Sequence, residues 1–125
     1  MKKLIPILAF IGCLTYACSD DDDANTPCTT EVVPGLEITV TDITTDAILG
    51  EGLTVTATDG DYIEVLDYFD GTKNFYGTDE RAGTYTITVT GTGYQPYVSN
   101  AVTVTADRCH VVTQKLTIAL ERDNQ

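Results

Sequence analysis

Gly83-Thr84-Tyr85-Thr86-Ile87-Thr88-Val89-Thr90 is the stretch that decides the fold. Threonine stands at every second position and an apolar residue stands between each pair. That period of two belongs to a pleated strand with one buried and one wet face. The same alternation recurs in both directions along the chain. Leu36, Ile38 and Val40 interleave with Glu37, Thr39 and Thr41, and Leu53, Val55 and Ala57 with Thr54, Thr56 and Thr58. Val102 and Val104 alternate with Thr103 and Thr105, and Leu116, Ile118 and Leu120 with Thr117, Ala119 and Glu121. The chain holds 22 threonines, whose β-branch suits a pleated surface and whose hydroxyl keeps it hydrated.

Asp-Gly and Gly-rich turn signals separate these runs, among them Leu49-Gly50-Glu51-Gly52, Asp59-Gly60, Asp70-Gly71 and Gly91-Thr92-Gly93. Asp59-Gly60 reads as a two-residue hairpin turn leading into a strand from Asp61 to Tyr68. There Ile63 and Val65 share one face, Tyr62, Leu66 and Tyr68 the other, and the pattern leaves open which is buried. A further short strand falls near Lys73–Gly77. No stretch keeps helical spacing over ten residues. About seven short strands predict an all-β, seven-stranded antiparallel β-sandwich with Greek-key connections.

The order of these segments carries a family resemblance. Asp46-Ala47-Ile48-Leu49-Gly50-Glu51-Gly52-Leu53-Thr54-Val55 is followed by Gly83-Thr84-Tyr85-Thr86-Ile87-Thr88-Val89 and by Gly93-Tyr94-Gln95-Pro96-Tyr97. Val102-Thr103-Val104, Asp107-Arg108-Cys109-His110-Val111 and Leu116-Thr117-Ile118-Ala119-Leu120 complete it. Residues 35–122 thereby resemble the carboxypeptidase regulatory-like domain, a transthyretin-like β-sandwich. The chain departs from that pattern at Glu51-Gly52, where members often carry Gly-Ala. The resemblance implies a structural or accessory role and supplies no catalytic residues. Tyr94, after Gly93 at a strand entrance, is expected to anchor a corner of the sandwich through its hydroxyl.

The N-terminus reads as an address. Lys2 and Lys3 precede an apolar run from Leu4 to Leu14 that is too short to span a bilayer, so residues 1–17 form a signal peptide. Leu14-Thr15-Tyr16-Ala17-Cys18 resembles a lipoprotein lipobox, with Cys18 the lipidated residue and the membrane its partner through that lipid. Gly12-Cys13 is a second candidate, and an ordinary signal leaving Cys18 free is the plainer reading. Residues 18–34 form an acidic tether, and its Ser19-Asp20-Asp21-Asp22-Asp23 resembles the export tract of surface lipoproteins. The expected location is the outer membrane, at the cell surface, with a periplasm-facing orientation as the alternative. Residues 123–125 form a short C-terminal tail.

Of the 4 cysteines, Cys28 and Cys109 remain once Cys13 and Cys18 are accounted for. In an oxidising compartment two leftover thiols pair. Their bridge closes a loop of roughly 80 residues, worth at most ~4.5 kcal/mol in the chain-entropy model. The weaker reading, a metal site, has only these two thiols and the lone His110 to offer, so no metal or other cofactor is expected.

The 125 residues carry 7 Lys and Arg against 19 Asp and Glu, a net charge of −12. Such acidity argues against nucleic acid as a partner. Catalytic combinations are thin: Ser99 and His110 are the only plausible hydroxyl and base outside the tether, and no P-loop or dinucleotide fingerprint is present. Asp59 and Asp61 match the first two calcium positions of an EF-hand, but Ile63 and Glu64 break the pattern. Tyr62, Tyr68, Phe69, Phe75 and Tyr76 crowd into fifteen residues, either filling one end of the core or offering rings to a sugar or protein. The leading expectation is a non-catalytic, lipid-anchored structural or interaction module, with an envelope protein as its possible partner. The alternative is a glycan- or calcium-binding module with Asp59, Asp61, Tyr68, Asp70 and Tyr76 as ligand residues.

Overall fold

The computed structural model describes residues 27–123. The segment read as a signal peptide, Cys18, the tetra-aspartate run and the last two residues lie outside them. Ten strands and no helix appear among the described residues: β1 (Leu36–Asp42), β2 (Ile48–Leu49), β3 (Thr54–Asp59), β4 (Tyr62–Val65), β5 (Asp67–Phe69), β6 (Asn74–Gly77), β7 (Gly83–Thr90), β8 (Tyr97–Val98), β9 (Val102–Val104) and β10 (Gln114–Leu120). They form two five-stranded sheets packed as a sandwich. The first has the order β10-β1-β6-β5, with β2 also on β1, and the second the order β4-β3-β7-β8, with β9 also on β7.

The period of two does what the sequence demands of it. Along β1, Leu36, Ile38 and Val40 are fully buried while Glu37, Thr39 and Thr41 face outward. β7 buries Tyr85, Ile87 and Val89 against them, and Phe75 fills the space between the layers from β6. Dense packing of such side chains is the main stabilising term of a domain this size.

Two expectations are corrected. The strands number ten rather than seven, because β2, β5 and β8 span only two or three residues and leave no readable alternation. Nor are all pairings antiparallel: β1 and β10 run parallel from Leu36↔Gln114 to Asp42↔Leu120. A parallel pair needs a long crossover, and here the whole chain between β1 and β10 supplies it by passing through the second sheet.

The expected strand Asp61–Tyr68 divides at Leu66, where the chain leaves the second sheet for the first. Leu66 is buried between them and donates its N–H to the Val55 carbonyl at 2.8 Å. The faces left open by the sequence resolve with Tyr62, Leu66 and Tyr68 inward and Ile63 and Val65 outward. The β3–β4 turn is also shifted by one residue from its expected place. Asp59 pairs with Tyr62, so the turn is Gly60-Asp61, and Gly60 (φ 61°) supplies the left-handed first position such a turn requires.

Candidate functional site

Two polar hubs close the sandwich, one at each end of β1. At its C-terminal end, the period that buries Leu36, Ile38 and Val40 also buries Asp42, which is 0% exposed. One carboxylate oxygen accepts the Thr44 and Thr45 amides at 2.8 and 3.1 Å. The other accepts the Tyr94 hydroxyl at 2.8 Å and Arg122 Nε at 2.7 Å. The Tyr94 hydrogen bond lowers the Asp42 pKa most; burial opposes it, and the two amides and Arg122 add to it, leaving the carboxyl far below the usual range. Tyr94 thus anchors a corner as the sequence suggests, joining the β7–β8 connection to the end of β1. Sequence reasoning missed Asp42 itself. The signal was present: a carboxylate in register with three core positions must be fully satisfied to sit there.

At the other end, the segment before β1 lies as a strap against the loop before β10. Cys28 and Cys109 form a disulfide with their Cα atoms 5.3 Å apart. Beside it Thr29 Oγ1 stands 2.8 Å from His110 Nε2, and His110 Nδ1 stands 2.6 Å from Glu80 Oε2. Glu80 also accepts the Val33 amide at 2.9 Å and the Val111 amide at 3.3 Å. Burial pushes the Glu80 carboxyl up, but the bonds from His110, Val33 and Val111 outweigh it and hold it below its ordinary value. Asp107 is held low by the His110 and Cys109 amides.

Hydroxyl, imidazole and carboxylate in this order follow the logic of a hydrolytic triad. Here the carboxylate also accepts the Val33 and Val111 amides, and the hydroxyl belongs to the residue next to the disulfide. The chain Thr29–His110–Glu80 fastens the strap.

The short link between β6 and β7 organises this end. Thr78 and Glu80 adopt φ of 53° and 52°, a region that non-glycine residues seldom occupy. The twist turns Glu80 toward the strap and the Thr78 amide toward Glu64, which accepts it at 3.1 Å. Tyr62 donates its hydroxyl to the same Glu64, and its pKa is pushed up to about 12, chiefly by that bond and then by burial. Arg81 lies 3.8 Å from the Tyr62 ring centre and reaches Asp59 at 3.1 Å and the Tyr85 hydroxyl at 3.0 Å. Asp79 is pushed up by burial and by the nearby charges of Glu64, Asp67 and Glu80.

The five candidate ligand residues do not form one cluster: Tyr68, Asp70 and Tyr76 share the β5–β6 hairpin, with the Tyr68 hydroxyl donating to Asp70 at 3.5 Å, while Asp59 and Asp61 belong to the other sheet. Asp59 is engaged by Arg81, and Asp61 is exposed in the β3–β4 turn. Tyr68 turns inward, its ring 5.0 Å from that of Phe75, and lies against Gly50, where a Cβ would sit 2.3 Å from its ring. Asp70 pairs loosely with Lys73 at 3.5 Å in the β5–β6 turn. Tyr76 alone among them lies on the outer face of the first sheet, where Asn74 bonds Glu37 at 2.9 Å and Thr39 at 2.6 Å. Among the described residues no group of three or more His, Cys, Asp and Glu side chains is arranged to hold a metal ion.

The outer face of the second sheet carries a different chemistry. Thr54, Thr56 and Thr58 of β3 stand beside Thr84, Thr86, Thr88 and Thr90 of β7, with Ile63 and Val65 on one flank and Val98 on the other. Two shallow pockets of about 250 and 290 Å³ lie around the Tyr94 corner, one under Pro96 and Tyr97, the other beside Gly50 and Leu53. No protein-family model matches the chain, and no curated protein matches its sequence.

Proposed function

We propose that this chain is a non-catalytic, lipid-anchored cell-envelope protein whose β-sandwich serves as a structural and interaction module. The observation that carries the reading is how the polar groups are used. Asp42, Glu64, Glu80, Arg81 and His110 are each committed to tying strands, strap and loops together, while the outer face of the second sheet is built of threonines flanked by exposed Ile63, Val65 and Val98. The Cys28–Cys109 bridge fits an exported protein, since such bonds persist in oxidising compartments. The lipobox-like Ala17-Cys18 and the acidic run after it support an outer-membrane, cell-surface location. The resemblance to the carboxypeptidase regulatory-like domain, with its transthyretin-like Greek-key sandwich, supports an accessory role.

The test is Cys18→Ser. The variant is expected to leave the membrane fraction, and protease shaving of intact cells is expected to degrade the wild type. Co-purification from native membranes should then recover a protein partner. A chain that stays soluble in both forms, or that hydrolyses ester or peptide substrates in a His110-dependent way, would be something else.

The second reading, glycan binding, is favoured by Tyr76 and the 57%-exposed Phe69 beside Asn74 and Glu37 on one outer face. Retention on polysaccharide that Tyr76→Ala abolishes and the inward Tyr68→Ala spares would establish it. The calcium form of that reading has its carboxylates divided between Arg81, a turn and Lys73. Calorimetry at millimolar calcium tests it.

A further inference from the structure

We infer that the β4 edge of the second sheet docks an extended segment of a partner protein whose alternate residues read basic, apolar, apolar, basic. This rests on the interaction-module reading above and names the class of partner.

The backbone comes first. β4 pairs only with β3 among the described residues, through a two-residue turn flanked by Asp59↔Tyr62. In such a hairpin the pair beside the turn exchanges both hydrogen bonds, and bonded pairs then alternate. Ala57↔Glu64 is the next bonded pair, and the 2.8 Å bond from Leu66 to Val55 continues the series. The N–H and C=O groups of Ile63 and Val65 therefore point away from the sheet. A strand edge presenting such groups is a template for one more strand.

The side chains are equally specific. From Asp61 to Phe69 exposure alternates without a break: Asp61, Ile63, Val65, Asp67 and Phe69 are exposed, while Tyr62, Glu64, Leu66 and Tyr68 turn inward. Ile63 is 65% and Val65 58% exposed, and the two stand side by side on the outward face of the same strand. This stretch holds no lysine or proline; its charges are all negative, Asp61 and Asp67 outward and Glu64 inward. The opposite edge of the same sheet is broken into β8 and β9, of two and three residues, with Ser99 folded back to bond Ile87.

Charge selects the occupant. Self-pairing of two copies centred on Glu64 would align Ile63 with Val65 but also Asp61 with Asp67, the first residue of β5, where the edge runs on past Leu66, between chains of net charge −12. Like charges directly opposite one another are destabilising across strands. A partner strand with two central apolar residues beside Ile63 and Val65, and Lys or Arg beside Asp61 and Asp67, reverses both terms. Asp79 lies close enough to Glu64 and Asp67 to feel both charges, and the nearby cation, Arg81, is already paired with Asp59.

The full chain should be titrated with a capped synthetic peptide, Lys-Thr-Val-Thr-Ile-Thr-Lys, and followed by calorimetry and amide NMR. Saturable binding is expected, with the Ile63 and Val65 amides shifting most. Ile63→Asp, at an exposed position that leaves thermal unfolding in place as a check on folding, should weaken it at least about tenfold. Glutamate in place of the peptide lysines should do the same, and N-methylation of its alternate amides should abolish it. No saturation at about millimolar peptide, or binding indifferent to Ile63→Asp and to N-methylation, overturns the inference. So does a wild-type dimer in ultracentrifugation that Ile63→Asp dissolves, since that assigns the edge to a second copy. A chain that recovers a membrane partner yet ignores the peptide refutes the edge alone and leaves the module reading standing.

Discussion

The strap and the β4 edge sit at opposite extremes of commitment. The strap makes little regular strand pairing, yet it is tied by a disulfide, by the Thr29–His110–Glu80 chain and by the Thr113 hydroxyl on the Pro34 carbonyl at 2.7 Å. The β4 edge is a regular strand, yet among the described residues no strand pairs with its outer backbone groups, and Ile63 and Val65 stand exposed beside them. Segments with weak local structure need ties to stay in place, whereas a regular edge holds its shape while open. The difference teaches that stability and recognition are placed in different parts of this molecule. Substitutions should separate them.

The largest effect belongs to the sulfur link. Replacing both Cys28 and Cys109 with Ser should lower stability by up to ~4.5 kcal/mol, measured by urea unfolding, and raise exchange across residues 27–35 and 106–113 first. Asp42→Asn comes next. It removes the charge facing Arg122 and turns an amide toward the Tyr94 hydroxyl, so calorimetry should show the melting temperature falling by about 15 °C.

Acid is the third probe. Asp42, Glu80 and Asp107 are all held below their ordinary values in the folded chain. A depressed folded pKa contributes stability above the unfolded value and loses it as pH falls through the folded one. Melting temperature should therefore fall steadily as pH drops below the ordinary carboxylate values of 3.8 and 4.5. Asp79, shifted upward, has the opposite sign: its small contribution is present in acid and lost as pH rises.

Glu80→Gln should cost only about 5 °C, because the group is partly solvated and the disulfide keeps the strap near its site. Ile63→Ser should move thermal stability by no more than about 0.5 kcal/mol while removing peptide binding. If Ile63→Ser proves more damaging than Glu80→Gln, the division between fastened and open regions is wrong.

Much of this was legible in the residues. Threonine alternation gave the two-layer core, and counting thiols gave the Cys28–Cys109 bond. Gly93-Tyr94 pointed to a hydroxyl anchor, though not to its acceptor. What escaped depends on long-range placement. Asp42 meets Tyr94 and Arg122 across separations of 52 and 80 residues, which no local pattern encodes. The parallel β1–β10 pair is a matter of topology, since alternation looks the same in either direction. The candidate ligand residues divide into two groups because nearness along the chain is not nearness in space: Leu66 carries that segment from one sheet to the other.

Residue-resolved amide hydrogen exchange on the free chain probes the open edge most directly. Glu64 and Leu66 should exchange slowly and Ile63 and Val65 fast, an odd–even alternation that collapses to uniform protection when the lysine-flanked peptide is added. Slow exchange at Ile63 and Val65 in the unliganded chain would mean that the edge is already covered, and would contradict it.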